Sequence, residues 1–314
     1  MDISSILYPN GLVPAAHNVN HGYKNYWFRD GYFDGICSQP SVRNAIWNGT
    51  IDILDRYKWK LEIHAKVPPK HWYEHIHVRY NPEGLEIGNE PWQHHQWESV
   101  ANAGEMALDK GRTDLAGLIV DYLDTAKCHR APSAGAWEDR NNSDAYSLAA
   151  CAHFFQKCKP SLNGRYDQLD QSVRMCTKRL YSLLPYATEK KQVCLSILGV
   201  IWPYHAAGPY KQEIIDIVKS TLMREPFGFI RYVGDKYDGE GFSRGKGSEL
   251  PWLLGDCFMC KIEPNNPIWR KRLQAAQDHF GCMPEAFFPE TMKMNRNSPL
   301  VWAESMWNSI KNEV

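Results

Sequence analysis

Neither sign of charge is in surplus in this chain, because Lys plus Arg and Asp plus Glu both number 36. Proteins that grip nucleic acid carry a basic excess or stripe, so no nucleic-acid partner is expected. No stretch approaches the ~20 consecutive apolar residues that cross a bilayer. The opening Met1-Asp2-Ile3-Ser4-Ser5-Ile6-Leu7 lacks the basic and apolar regions of a secretory leader. The expectation is a cytoplasmic protein with no membrane association. Gly-x-Ser-x-Gly and the dinucleotide glycine fingerprint are missing, and Gly245-Lys246-Gly247 has no earlier glycines at the spacing of a phosphate-cradling loop. The familiar signatures of nucleophilic serine, nucleotide and phosphate chemistry are therefore absent, and no cofactor is expected.

Paired cysteine motifs are also lacking. The nine cysteines are an odd number and scattered, which reads as free thiols in a reducing compartment. Cys257 and Cys260 have C-x-x-C spacing, but within an apolar helical run and without a second pair, so core packing is the preferred role. In His71-Trp72-Tyr73-Glu74-His75-Ile76-His77, a strand would point His75 and His77 the same way beside Glu74. No further ligand follows at metal spacing. Polar loop lining is preferred there, and no metal is expected.

What the chain does have is helical periodicity. Leu115, Leu118, Ile119, Tyr122, Leu123 and Ala126 form one apolar stripe after a Thr113 cap. Leu169, Val173, Cys176 and Leu180 form a second, and Val42, Ile46, Ile53 and Tyr57 a third. Further helices are predicted near 95–110, 143–158, 190–201, 209–223, 248–262, 266–279 and 298–312. Strand alternation is confined to pieces such as Phe229–Val233. The 314 residues, 43% of them hydrophobic, are ample for one core, and no linker or composition shift divides them. The reading is an all-α chain and one domain, 1–314.

The connections are uneven. Pro68–Trp92, Ala131–Arg140, Phe227–Gly247 and Cys282–Ser298 are long, aromatic and polar, whereas turns such as Lys110–Thr113 are short. In an array of antiparallel helix pairs, alternate connections lie at one end, so that end is expected to carry the site.

Four pieces bear on chemistry. Gly135-Ala136-Trp137-Glu138-Asp139-Arg140 puts an acid beside an indole, a setting that keeps a carboxyl protonated when the pocket is partly dry; a helix start carrying acids is the plainer alternative. Pro284-Glu285-Ala286 offers a second, distant carboxylate. Inverting glycosidases need such a pair roughly 6.5–9.5 Å apart, one to protonate the leaving oxygen and one to activate water. Tyr26-Trp27-Phe28-Arg29-Asp30 sets a forked donor beside an acceptor among rings, suited to vicinal hydroxyls or to a structural ion pair. Arg231 sits between aromatics, followed by Asp235, Asp238 and Glu240, which read mostly as surface charge. Glu249 reads as the acid at a helix start.

In their order along the chain these pieces resemble glycoside hydrolase family 15, the glucoamylase-type enzymes. They are nearest to the related domain of phosphorylase kinase α and β subunits. The likeness runs from Gly11-Leu12-Val13-Pro14-Ala15 to Trp307, through Ile76-His77-Val78-Arg79-Tyr80-Asn81, Leu183-Leu184-Pro185 and Ser298-Pro299-Leu300-Val301-Trp302-Ala303-Glu304-Ser305. It implies an (α/α)6 barrel whose site is built from loops at one end. It also implies that Glu138 is the general acid, Glu285 the general base, and Arg29 and Asp30 the grip on terminal glucose hydroxyls. Trp27 would line that subsite, with Trp92, Gln96, Trp137, Asp139 and Arg231 around the sugar. Asp139 stands where a glutamate is usual, and Glu98 where an aspartate is common. With no further module expected, the substrate class is a small soluble oligosaccharide or disaccharide. The expected activity is inverting, exo-acting α-glucoside hydrolysis; the alternative is a non-catalytic, carbohydrate-sensing barrel.

Overall fold

The structure is a computed structural model that describes residues 2–17, 21–88, 92–139, 142–190, 192–239, 241 and 247–313. Arg140, Glu240 and Gly245-Lys246 lie outside the described residues. Among the described residues twelve α-helices follow in order: Phe28–Ile36 (α1), Pro40–Arg56 (α2), Lys58–His64 (α3), Trp97–Asp109 (α4), Thr113–Thr125 (α5), Ala145–Cys158 (α6), Tyr166–Leu183 (α7), Leu198–Ile201 (α8), Lys211–Leu222 (α9), Leu254–Ile262 (α10), Pro267–Phe280 (α11) and Val301–Asn312 (α12).

Their packing closes a ring. Helix α1 touches α4, α4 touches α6, and the chain of neighbours runs through α8, α10 and α12 back to α1. Around it, α2, α5, α7, α9 and α11 each pack on the inner helix that precedes them, with α3 beside α5 and the 3-10 segment Ile3–Ile6 against α12. This is the (α/α)6 toroid.

The two layers differ because their sequences do. Inner helices are buried all round: Phe28 to Gly35 in α1 and Trp97 to Ala107 in α4 have no exposed member. Even their polar members are buried, Arg29, Asp30 and Asp34 in α1 and Glu98, Ser99, Asn102 and Glu105 in α4. Outer helices bury one stripe, as α7 does with Leu169, Ser172, Cys176, Leu180 and Leu183. Close approach of layers needs small residues. A Cβ on Gly35 would lie 1.8 Å from Cζ3 of Trp47, so only glycine lets α1 meet α2 there.

The connections alternate as the sequence suggests. Inner-to-outer links are 37–39, 110–112, 159–165, 202–210 and 263–266, whereas outer-to-inner links are 65–96, 126–144, 184–197, 223–253 and 281–300. Each long link therefore ends at the N-terminus of an inner helix. All the elaborate loops gather at one end, where the inner helices also direct their positive dipole ends.

Some local expectations are corrected. Thr113 is the first residue of α5 rather than its cap; Arg112 precedes the helix, without a side-chain capping bond. Phe229–Val233 is no strand, because Phe229 makes only isolated bridges to Met223 and Trp252 and the chain then turns. The helix predicted over 190–201 is a 3-10 turn, Leu195–Ile197, running into the short α8. Helix α10 starts at Leu254, so Glu249 caps no helix; it accepts the backbone N–H of Gly234 at 2.6 Å and of Gly247 at 3.0 Å. His75 and His77 are not on a strand, which is limited here to Arg79–Tyr80, paired antiparallel with Tyr26–Trp27. Cys257 and Cys260 are buried within α10.

Candidate active site

A cavity of about 740 Å³ opens at the loop-bearing end, inside the roughly 300–1,000 Å³ range of small-molecule sites. Glu138 and Glu285, 147 positions apart in the chain, both line it. Its walls also carry Trp27, Trp92, Trp137, Trp252 and Trp302, which offer flat apolar faces among charged side chains.

The side of the site around Glu138 is built from the start of α1. Arg29 and Asp30 lie in that helix's first turn, not ahead of it, and both are buried. Arg29 donates from Nε to Oδ1 of Asp30 at 3.2 Å, and its Nη2 lies 3.7 Å from Oε1 of Glu138. Trp27 Nε1 donates to the same Oε1 at 2.8 Å, and Gln96 Nε2 approaches it at 3.3 Å. Three nitrogens thus converge on one oxygen of Glu138. Burial raises Asp30 to about 6, against the pull of Arg29.

Glu138 belongs to a turn, with φ +60° following Gly135 at +68°. A left-handed glutamate costs about 1–2 kcal/mol and persists only where its surroundings fix it. The indole that touches Glu138 is that of Trp27 and not its chain neighbour. Trp137 turns away, donating Nε1 to Sγ of Cys194 at 3.1 Å and packing 5.5 Å from Trp252.

Glu285, also on the cavity wall, is 1% exposed. Tyr237 Oη donates to it, 2.9 Å from Oε1 and 2.8 Å from Oε2, Asn295 Nδ2 donates to Oε2 at 2.5 Å, and the Tyr23 hydroxyl donates to Oε1. Its backbone N–H is fixed by Oγ of Ser298 at 2.9 Å. Burial pushes the Glu285 carboxyl up, while these hydroxyl and amide donors hold it down. The first effect prevails.

The remaining expected site residues distribute as follows. Arg231 lines the cavity, but Asp235 holds its fork through bonds of 2.7 and 2.6 Å, with the rings of Tyr237 and Trp252 4.6 and 5.2 Å away. Asp139 stands exposed on the cavity wall and accepts the Tyr232 hydroxyl. Trp92 lies face-on to Arg79 at 3.6 Å, and Arg79 is itself the cross-strand partner of Trp27. Gln96 does not line the cavity; it is fully buried behind it, bridging Arg29 and Glu138.

Several residues escaped the sequence reading. Asp235 and Asp238, taken mostly for surface charge, are 1% and 4% exposed and line the cavity. Tyr23 lies in the one-turn 3-10 segment His21–Lys24, and Tyr237, Asn295 and Asn297 on irregular loops, with no periodicity to mark them. Arg79 and Trp302 fall inside segments carrying the family resemblance but had no assigned role. Among the described residues no group of three His, Cys, Asp or Glu side chains could hold a metal. His77 instead stacks on His94 with ring centres 3.7 Å apart.

The same ring of helix pairs is found in solved structures of glycosidases and glucoamylases. Among solved structures, a glycosidase matches over 99% of this chain and 93% of its own at TM-score 0.81 and 16% identity, as does a variant of a glycosidase in complex with glucose. A bacterial glucoamylase complexed with acarbose matches at TM-score 0.67 and 15% identity, over 92% of this chain and 49% of that one. The glucoamylase of Saccharomycopsis fibuligera matches at TM-score 0.67 and 12% identity, over 98% and 92%. No family model and no curated protein matches the chain. At these identities the likeness is one of fold. No helix among the described residues is long and apolar enough to cross a membrane.

Proposed function

We propose that the chain, acting as one catalytic unit over 1–314, is an inverting, exo-acting α-glucoside hydrolase that releases glucose from the non-reducing end of small oligosaccharides or disaccharides. The observation that carries this reading is that two glutamates from distant segments face one ring-walled cavity. In the proposed reaction Glu138 gives a proton to the glycosidic oxygen as the oxocarbenium-like state forms. Glu285 takes a proton from water attacking the opposite face.

The surroundings suit those roles. Burial raises Glu285 and so makes it a stronger base, while three donors aim its oxygens. Arg29 and Asp30, side by side in the wall, offer donor and acceptor to neighbouring hydroxyls, and the indoles offer faces to the apolar side of a sugar. A hollow that ends on the first turns of α1 and α12, with Arg29, Asp30 and Trp302 there, fits a chain end better than a chain middle. That is the ground for an exo mode.

The test is glucose release from maltose, isomaltose, trehalose and malto-oligosaccharides by the wild type, Glu138→Gln and Glu285→Gln. Each variant is expected to lose about 10²–10⁴-fold in kcat, with an unchanged melting temperature. Near-normal turnover by Glu138→Gln on every accepted substrate would overturn the assignment. Saturable sugar binding with no release by the wild type would favour the sensing barrel.

A further inference from the structure

We infer that Glu98 is a positioning residue for Glu138, holding the turn that carries this acid through the hydroxyls of Ser133 and Ser147. The inference rests on the reading of Glu138 as the proton donor. Glu98 lies in the first turn of α4, has no exposed surface and does not line the cavity, so it meets no substrate. Placing an ionisable group fully out of water costs free energy that ordinary packing does not require.

Its contacts show what it holds. Oε2 of Glu98 accepts the Ser147 hydroxyl at 2.6 Å and the Ser133 hydroxyl at 3.3 Å, and the two serine oxygens are 2.9 Å apart. Oγ of Ser133 in turn accepts the backbone N–H of Gly135 at 3.3 Å, and the carbonyl of Gly135 accepts the N–H of Glu138 at 3.2 Å. A continuous series of bonds therefore runs from α4 to the acid's own backbone. The start of α4 adds two more ties, from the Ala134 N–H to the His95 carbonyl at 3.0 Å and from Trp97 Nε1 to the Pro132 carbonyl at 2.9 Å. Ser147 belongs to α6, so the same carboxyl joins both inner helices to the strap between them.

The turn needs such an anchor, because Glu138 is held left-handed at φ +60°. A backbone conformation that the residue itself disfavours is kept only by directional bonds around it. Burial, with the charge of Asp144 beside it, pushes Glu98 up to about 7. A carboxyl protonated on its other oxygen still accepts both hydroxyls on Oε2. The anchor thus operates in either protonation state, and what it requires is an acceptor oxygen rather than a charge.

The experiment compares the wild type with Glu98→Ala, Glu98→Gln and Ser133→Ala in the full chain, reading maltose turnover and amide hydrogen exchange at 134–138. Glu98→Ala is expected to lower kcat about tenfold or more with KM within about threefold, since sub-ångström misplacement of a catalytic group acts on the rate. Exchange in the turn should accelerate about tenfold. Ser133→Ala should do the same more weakly, and the double variant should lose little beyond the worse single change. Glu98→Gln keeps a carbonyl oxygen for both hydroxyls and should restore both readouts to within about threefold of wild type. Unchanged exchange in Glu98→Ala and Ser133→Ala would overturn the proposal. A Glu98→Gln variant as impaired as Glu98→Ala would do so too, by assigning the effect to charge. Should the wild type release no glucose, the hydrolase reading fails while exchange still decides the anchoring role. Should Glu98→Ala not fold, the other two variants decide it.

Discussion

Removing one hydroxyl beside Glu285, by Tyr237→Phe, moves the acid side of the pH profile in a direction the structure fixes. The Tyr237 hydroxyl lies 2.9 and 2.8 Å from the two oxygens of Glu285 and is itself held by Asn297 Nδ2 at 2.7 Å. A hydrogen bond to a charged group contributes about 1.5–3 kcal/mol. Tyr23 and Asn295 still donate in the variant, so the low end applies, and about 1.4 kcal/mol is one tenfold step in proton affinity. The Tyr237 bond is among those that hold the Glu285 carboxyl down against burial. Losing it lets the carboxyl rise, and a base is active only when ionised. The acid limb of kcat/KM is therefore expected to move up by about one pH unit, leaving turnover on the alkaline side within about tenfold of wild type. Glucose release from maltose, measured across the acid range on the wild type and Tyr237→Phe, reads this directly, because kcat/KM reports groups of the free enzyme. The phenyl ring keeps its packing against Trp252, 5.6 Å away, so the fold is expected to persist. A limb that stays put, or moves to lower pH, would refute the claim that Glu285 is the titrating base.

Two further outcomes are expected. Asp30 ionises at about 6, and only the carboxylate accepts hydroxyls at full strength, so KM should fall as pH rises through that value and Asp30→Asn should flatten the dependence. The second concerns stability. Burial depresses His77 to about 3 and His94 to about 2, so below the unfolded value near 6.5 the unfolded chain binds protons that the fold refuses. Each of these histidines then removes about 2 kcal/mol of stability between pH 7 and pH 5; His94→Phe should lessen the acid-induced drop seen in urea titrations at those two pH values, and an unchanged drop would refute this.

Much of this arrangement was legible before any coordinates. The one-sided stripes of α5 and α7 follow from apolar residues at helical spacing, and helices that long are stable to misjudged ends. The uneven loops were legible too, because loop length is counted along the chain and does not depend on contacts. Glu138 and Glu285 could be named as a pair from the order of short motifs. What could not be read was everything that depends on one loop meeting another. Asp235 looked like surface charge because nothing nearby in sequence shows that Arg231 grips it. Tyr23 and Asn295 are 272 positions apart and meet only at Glu285. Trp137 stands next to Glu138 in the chain, yet the left-handed turn sends the two side chains different ways and brings Trp27 to the acid instead. The start of α10 was misplaced for the same reason: Glu249 resembles a helix-start acid, but it serves the backbone of Gly234 and Gly247.

The most direct measurement is the anomeric form of the first glucose released from an α-linked disaccharide, followed by proton NMR before mutarotation. Water delivered by Glu285 from the face opposite to the departing oxygen yields the β-anomer at the earliest times. Initial release of the α-anomer would contradict the roles given to the two glutamates, and no release from any α-glucoside would contradict the hydrolase itself.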